Sequence, residues 1–224
     1  MTIVSTAFDT QTVDNSALIV AELEGGQTSD VQMMIGIGIV KDSDAVFFEY
    51  VGDKQHRALT IPSTGKPLET LYDILLTGIS VADDIGEYKA SKLNLFVTTK
   101  SGHEIMITSG LTTLWSQCVI TGLMGLEQQD GLTSPFSLDT WKGSTGKRPC
   151  LAAIKVGRAR ISDQGMYEQF VDLRGLKNKV AKAEKLDETM RSAVNIIRSG
   201  LGFQEPIEPV TVETVDTKSE EGDF

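Results

Sequence analysis

The sequence predicts an α+β fold: an antiparallel β-barrel or curved sheet with helices packed on it, a C-terminal helix and a disordered acidic tail. Three observations predict it. Short β-branched runs recur between polar turns, as in antiparallel sheets. Three longer stretches carry helical spacing or an apolar surface all round. Hydrophobic residues make up 40% of the 224 residues, enough for a buried core.

Taken in chain order, Ala17–Ala21 is strand-like, and Glu24–Thr28 reads as a loop. Val31 to Val40 is β-prone. Ile35, Ile37 and Ile39 alternate there with Gly36 and Gly38, so one face is branched and the other is bare enough for close backbone approach. Lys41–Asp44 is a turn and Ala45–Val51 a second strand, together a hairpin. Pro67 to Ile79 reads as a helix, because Pro67 suits a first turn and Leu68, Leu71, Tyr72, Leu75 and Leu76 follow helical spacing. Lys92–Thr99 and His103–Thr108 are strands around Lys100-Ser-Gly102. Leu111–Leu126 is apolar nearly all round, as a buried helix is, although Gly122 and Gly125 weaken its propensity.

Ser134–Asp139 is the next strand, followed by a basic loop, Lys142–Pro149. Cys150–Val156 is strand-like, and Ala159–Ile161 is expected to continue it. After the turn Ser162–Gly165, Met166–Leu173 shows an alternation that suggests another strand. Gly175 breaks the chain. Leu176–Arg198 then carries Leu176, Val180, Ala183, Leu186, Met190, Ala193, Val194 and Ile197 along one helical stripe. The barrel expected is of the oligonucleotide-binding (OB) type. Residues 1–203 form the compact body. Residues 204–224, with Pro206, Pro209 and many acids, bury too little to order and form the tail.

Composition excludes several classes. No apolar run reaches the roughly 18 residues of a membrane span. The first 14 residues have no basic group and no apolar core, so no secretory signal is expected. Cys118 and Cys150 are far apart and fit a reducing compartment. The expected location is the cytoplasm, the host's if the gene belongs to a phage.

An enzyme is not expected. His56 and His103 are the only histidines, and neither adjoins a motif serine or cysteine. Cys118 reads as core packing. Asp83-Asp84 reads as a solvated turn rather than a cation site. Gly143-Ser-Thr-Gly-Lys147 has two residues between its glycines where a phosphate loop has four, and Arg148 stands where the magnesium-holding hydroxyl belongs. No metal or cofactor is expected.

The net charge is −10, but it is segregated. Residues 1–140 balance at −11, residues 141–185 at +7 and residues 204–224 at −6. The cationic block holds Lys142, Lys147, Arg148, Lys155, Arg158, Arg160, Arg174, Lys177, Lys179, Lys182 and Lys185, with Trp141, Tyr167 and Phe170 among them. Single-stranded nucleic acid needs cations for its phosphates and flat rings for its bases. Arg158 and Arg160 share a face of a strand, and Tyr167 would share one with Gln169. The predicted nucleic-acid contacts are Trp141, Lys142, Lys147, Arg148, Lys155, Arg158, Arg160, Tyr167 and Arg174.

The chain ends Val212-Glu-Thr-Val-Asp-Thr-Lys-Ser-Glu-Glu-Gly-Asp-Phe224. This acidic, Phe-terminated end resembles the tails of phage single-stranded DNA-binding proteins. It is also similar to the tip of bacterial ones, which have apolar residues before the Phe where this chain has Gly222. The resemblance spans the last five to ten residues. It implies that Glu220, Glu221, Asp223 and Phe224 dock into replication or repair partners, while the acids compete with DNA for the basic groove. The function expected is coating of single-stranded DNA, or RNA, without sequence specificity, by a homo-oligomer. The alternatives are an oligomeric structural or adaptor protein with no nucleic-acid role, and a metal-dependent nuclease, for which no carboxylate cluster can be assembled.

Overall fold

A computed structural model describes residues 33–40, 43–51, 56–85, 89–144 and 149–203. The expected strand at Ala17–Ala21, the loop after it and the tail lie outside the described residues.

The fold is α+β, as expected. Nine strands form one open, curved sheet: β1 (Met33–Ile37), β2 (Phe47–Tyr50), β3 (His56–Ala58), β4 (Thr70–Ile85), β5 (Ala90–Thr98), β6 (Glu104–Gly110), β7 (Phe136–Lys142), β8 (Cys150–Val156) and β9 (Ala159–Ile161). Three helices accompany them: α1 (Leu114–Glu127), α2 (Gln164–Gly175) and α3 (Lys179–Gly200). The strand order is β3-β2-β1-β6-β5-β4-β7-β8-β9. Every pairing is antiparallel except β1 with β6. The order has two ends, so of the barrel or curved sheet expected from the sequence the curved sheet is the arrangement described, and closure into an OB-type barrel is not.

β4 carries the main correction. The predicted helix over 67–79 is the first part of a 16-residue strand. Its first residues pair with β7 and its remainder with β5, so one strand serves both halves of the sheet. Irregularities fall between Leu71 and Ile74 and between Leu76 and Gly78, and Asp73 adopts a left-handed φ of 49°. Each bulge inserts a residue. The buried positions therefore run Leu71, Ile74, Leu76, Ile79, Val81, in steps of three and two that imitate a helical stripe.

The second correction is α2. Met166–Leu173 is helical, and Asp163 caps it by accepting from the Met166 amide. Met166, Phe170 and Leu173 turn inward at spacings of four and three. Ala159–Ile161 does not prolong β8. The chain reverses at Gly157 (φ 58°) and returns beside it as β9. The other expected strands, the first hairpin and the helices near 111–126 and 176–198 are present, both helices starting three residues later than expected.

One face of the sheet, here the inner face, carries Ile35, Phe47, Leu76, Ile79, Leu93, Leu95, Ile105, Ile107, Leu138 and Ile154, all buried. The helices cover it. α1 packs on β8, β9 and β6, and α3 packs on α1 and β4. Almost all of α1 is buried. It approaches closely because a Cβ on Gly122 would lie 2.8 Å from the Ile154 Cβ, and one on Gly125 2.8 Å from the Ser162 carbonyl carbon. The Trp115 indole N–H donates to Thr140 Oγ1 at 3.2 Å, so the one polar atom of that buried ring is satisfied. α3 contributes the buried Leu186, Met190, Ala193, Val194 and Ile197, but the expected stripe does not extend to its start: Leu176 precedes the helix, and Leu176, Val180 and Ala183 are exposed. Arg191 ties it to the sheet, donating two bonds to Asp83 (2.6 and 3.0 Å) and one to Asp187 (2.6 Å). Asp83 is thus the end of β4 and half of an ion pair, not a solvated turn.

Two predictions follow from this packing. Alanine is the better helix former by about 1 kcal/mol, yet Gly122→Ala is expected to destabilise the protein by about 1–3 kcal/mol through overpacking. Urea titration reads this, and a gain in stability would refute it. The hydrogen bonds from Arg191, then from Ser91, hold the Asp83 carboxyl below its ordinary range. A lowered folded value means the pair's contribution is complete above a pH of about 4 and lost as pH falls through that lower value. The pair is half exposed, so Asp83→Asn is expected to cost less than about 1 kcal/mol at pH 7. The melting-temperature gap to the wild type should close in acid, and a constant gap down to strongly acidic pH would contradict the assignment.

Candidate nucleic-acid interface

Register fixes which side chains share the outer face, the one away from the helices. Trp141 lies opposite Leu151, Asp139 opposite Ala153, and Ser137 opposite Lys155. Lys155 lies opposite Arg160 on β9, and Thr70 opposite Asp139 on β4. Cross-strand partners project to the same side. Trp141, Lys155 and Arg160 therefore stand on one face of β7–β9.

Trp141 is 37% exposed, in contrast to Trp115 at 1%. Lys155 pairs with Asp139, whose other contact is a 2.9 Å hydrogen bond from Thr70 Oγ1. Asp139 thereby orients the lysine and neutralises part of its charge. Arg158 and Arg160 are exposed at and beside the β8–β9 turn, with no ion pair among the described residues.

The remaining predicted contacts are placed differently. Lys142 turns inward, donating to the Ser43 carbonyl and lying 3.9 Å from Asp44. It ties the end of β7 to the segment before β2, and its side chain is mostly buried. Burial pushes the neighbouring Cys150 thiol up, and the Lys142 charge opposes that shift. Arg174 donates to Gln117 Oε1 at 2.7 Å, bracing α2 against α1, and Lys182 donates to the Arg174 carbonyl at 2.7 Å. Tyr167 is exposed, but on α2 rather than on a strand, so the expected pairing of its face with Gln169 does not arise. Lys147 and Arg148, and the tail residues Glu220, Glu221, Asp223 and Phe224, lie outside the described residues.

The block that is continuous in sequence is thus divided in space. Arg158 and Arg160 belong to the β8–β9 hairpin. Lys177, Lys179 and Lys185 lie around the start of α3 and are exposed. Lys142 and the β8–β9 turn stand at opposite ends of the β7–β8 ladder.

Sequence reasoning missed several aromatic side chains on the outer face. Tyr72 is 39% exposed on β4, next to the β7 pairing, and was hidden by the helix reading. Tyr50 and His56 lie opposite each other on β2 and β3, where the alternation of Phe48 and Tyr50 was the available signal. The Phe48 and His56 rings stack with centroids 4.3 Å apart, and Tyr50 meets both edge-on at 5.2 Å. Burial raises the Tyr50 hydroxyl above its ordinary value. Phe48 lies over Gly36 and Gly38, the bare face anticipated for β1.

Among the described residues no three His, Cys, Asp or Glu side chains group to hold a metal ion, and no helix is long and apolar enough to cross a membrane. No protein-family model, curated protein or solved structure matches the chain.

The two tryptophans give this surface a direct reporter. Acrylamide is expected to quench the Trp141 fraction of the emission and spare Trp115, so Trp141→Phe should remove most of the quenchable signal. Equal quenching before and after the substitution would contradict the exposed placement.

Proposed function

We propose that the protein binds single-stranded nucleic acid, DNA foremost, without reading its sequence, and that its acidic tail recruits replication or repair proteins. The observation that carries this reading is the shared outer face of Trp141, Lys155 and Arg160, beside the exposed Arg158. An exposed ring stacks on any base, and the cations on the same face, about four residues or roughly 13 Å farther along the strands, neutralise phosphates. The charge segregation supports it: in a chain of net −10, residues 141–185 balance at +7, and Arg158 and Arg160 of that segment stand at the β8–β9 hairpin. The tail's part rests on its acidic, Phe-terminated sequence.

A second reading, an oligomeric adaptor, has its own observation. The first turns of α3 project an apolar side chain into solvent, with Val180 66% exposed and Leu176 close by. Exposed apolar side chains at a helix start are of the kind that a self-associating surface uses. Sedimentation without nucleic acid tests it, and a monomer at all concentrations would remove it.

Fluorescence anisotropy of labelled oligo-dT tests the main reading. Affinity is expected to fall steeply with salt as counterions are released. Trp141→Ala should cost about 1–3 kcal/mol of binding. Arg160→Ala should weaken all sequences alike and reduce the salt slope by about one. No binding at low salt by the full-length protein or by one ending at Phe203 would sink the proposal.

A further inference from the structure

The outer face does not stop at β7–β9. β4 continues it with Tyr72 and Leu75, β5 with Phe96, and β1 with Met34. At the far edge stand Tyr50 and His56. Met34, Tyr50, Tyr72, Leu75 and Trp141 are all at least 36% exposed. They are large apolar side chains on the side of the sheet that the helices leave uncovered. A run of exposed apolar groups of this extent marks a binding surface.

We infer that the nucleic-acid site is a single track crossing the sheet from Trp141 and Arg160 to a second stacking station at Tyr50 and His56. This rests on the reading of the protein as a single-strand binder. The chemistry of the track selects its occupant. Its exposed rings offer π-faces, and its unpaired positive charge gathers at the β9 end, where Arg160 stands on the face with Arg158 beside it, while Lys155 is paired with Asp139 and the acids Asp73 and Glu104 stand farther along the track. An anionic ligand with flat apolar groups matches that mixture. Tyr50 and His56 are prepared for stacking, since Phe48 backs them and the glycines beneath let Phe48 seat against the sheet. An unbacked exposed ring would have to be ordered on binding, at an entropic cost.

Geometry sets a length. β2 and β7 are five strand spacings apart in the sheet order, or roughly 24 Å at about 4.8 Å each. The register displaces the stations along the strands as well: the row of Tyr50 runs through Met34, Met106 and Phe96 to Gly78 of β4, whereas Trp141 lies beyond the Thr70–Asp139 pair, an offset of roughly 25 Å at about 3.3 Å per residue. The stations are then roughly 35 Å apart, and at a stacked rise of about 3.4 Å per nucleotide about ten nucleotides join them. That lies within the range of about 4–16 nucleotides found for barrel-type single-strand binders.

The test compares labelled dT4 and dT15 on the full-length protein. The wild type is expected to bind dT15 at least tenfold more tightly than dT4. Tyr50→Ala with His56→Ala should abolish most of that difference, whereas Trp141→Ala should weaken both. Because the double variant removes packing around Phe48, photocrosslinking of 5-iododeoxyuridine oligonucleotides to the wild type provides a second measurement. Crosslinks to both 50–56 and 141–160 are expected on a fifteen-nucleotide strand. Crosslinks confined to 136–161, with dT15 affinity unaffected by the double variant, would overturn the track while leaving a single-strand binder. Failure of the wild type to bind any oligonucleotide would remove both. A self-association blocked by Tyr50→Ala, without crosslinks at 50–56, would assign this face to a second copy and overturn the track.

Discussion

The approach of α1 to β8 is the constraint on which the rest depends. A helix buried on nearly every side cannot be placed at the surface, so it has to lie between the sheet and the other helices. Gly122 and Gly125 let its backbone come against Ile154 and the start of the Ser162–Asp163 cap. Asp163 then starts α2, while its own amide donates to the Thr121 carbonyl of α1 at 2.9 Å and its carboxylate accepts from Gln128. α3 closes over the outer side of the same helix. Three helices are thereby committed to one side of the sheet, and no helix among the described residues packs on the other.

That arrangement explains how much was legible in the sequence. Elements whose burial follows one clean period were readable: the alternation of Leu93, Leu95 and Val97, the all-round apolarity of α1, and the stripe from Leu186 to Ile197. β4 was not, because two bulges shift its alternation and leave Tyr72 and Leu75 on the opposite side from their helical-looking neighbours. Its β-branched Ile74, Thr77, Ile79 and Val81 were the counter-signal. For α2 the signal was present in Asp163 and in the spacing of Met166, Phe170 and Leu173, but short alternations such as Met166-Tyr167-Glu168 imitate a strand. Whether a long strand closes into a barrel or stays open is not written in any local pattern, because closure depends on which strands become the edges.

The candidate site was legible as chemistry and not as geometry. Charge counting finds the cationic block, but a lysine or arginine has other possible employment. Lys142 and Arg174 serve as braces within the fold, and Lys155 is shared with an aspartate. The two braces depend on residues 99 and 57 positions away, which no window of sequence covers. The aromatic side chains behave similarly. Tyr50 and Tyr72 gain meaning only once the strand order puts them on the same side as Trp141.

The sheet ends in two strands of three residues each, β3 and β9. A strand that short exposes only one or two outward amide and carbonyl groups, too few to template another chain along its edge. The Arg57–Glu49 pair places charge beside one of these edges, and the exposed Arg160 sits on the other. Within the described sheet, growth by edge-to-edge addition is therefore discouraged at both ends. Crowding many copies side by side at high local concentration need not nucleate fibrils.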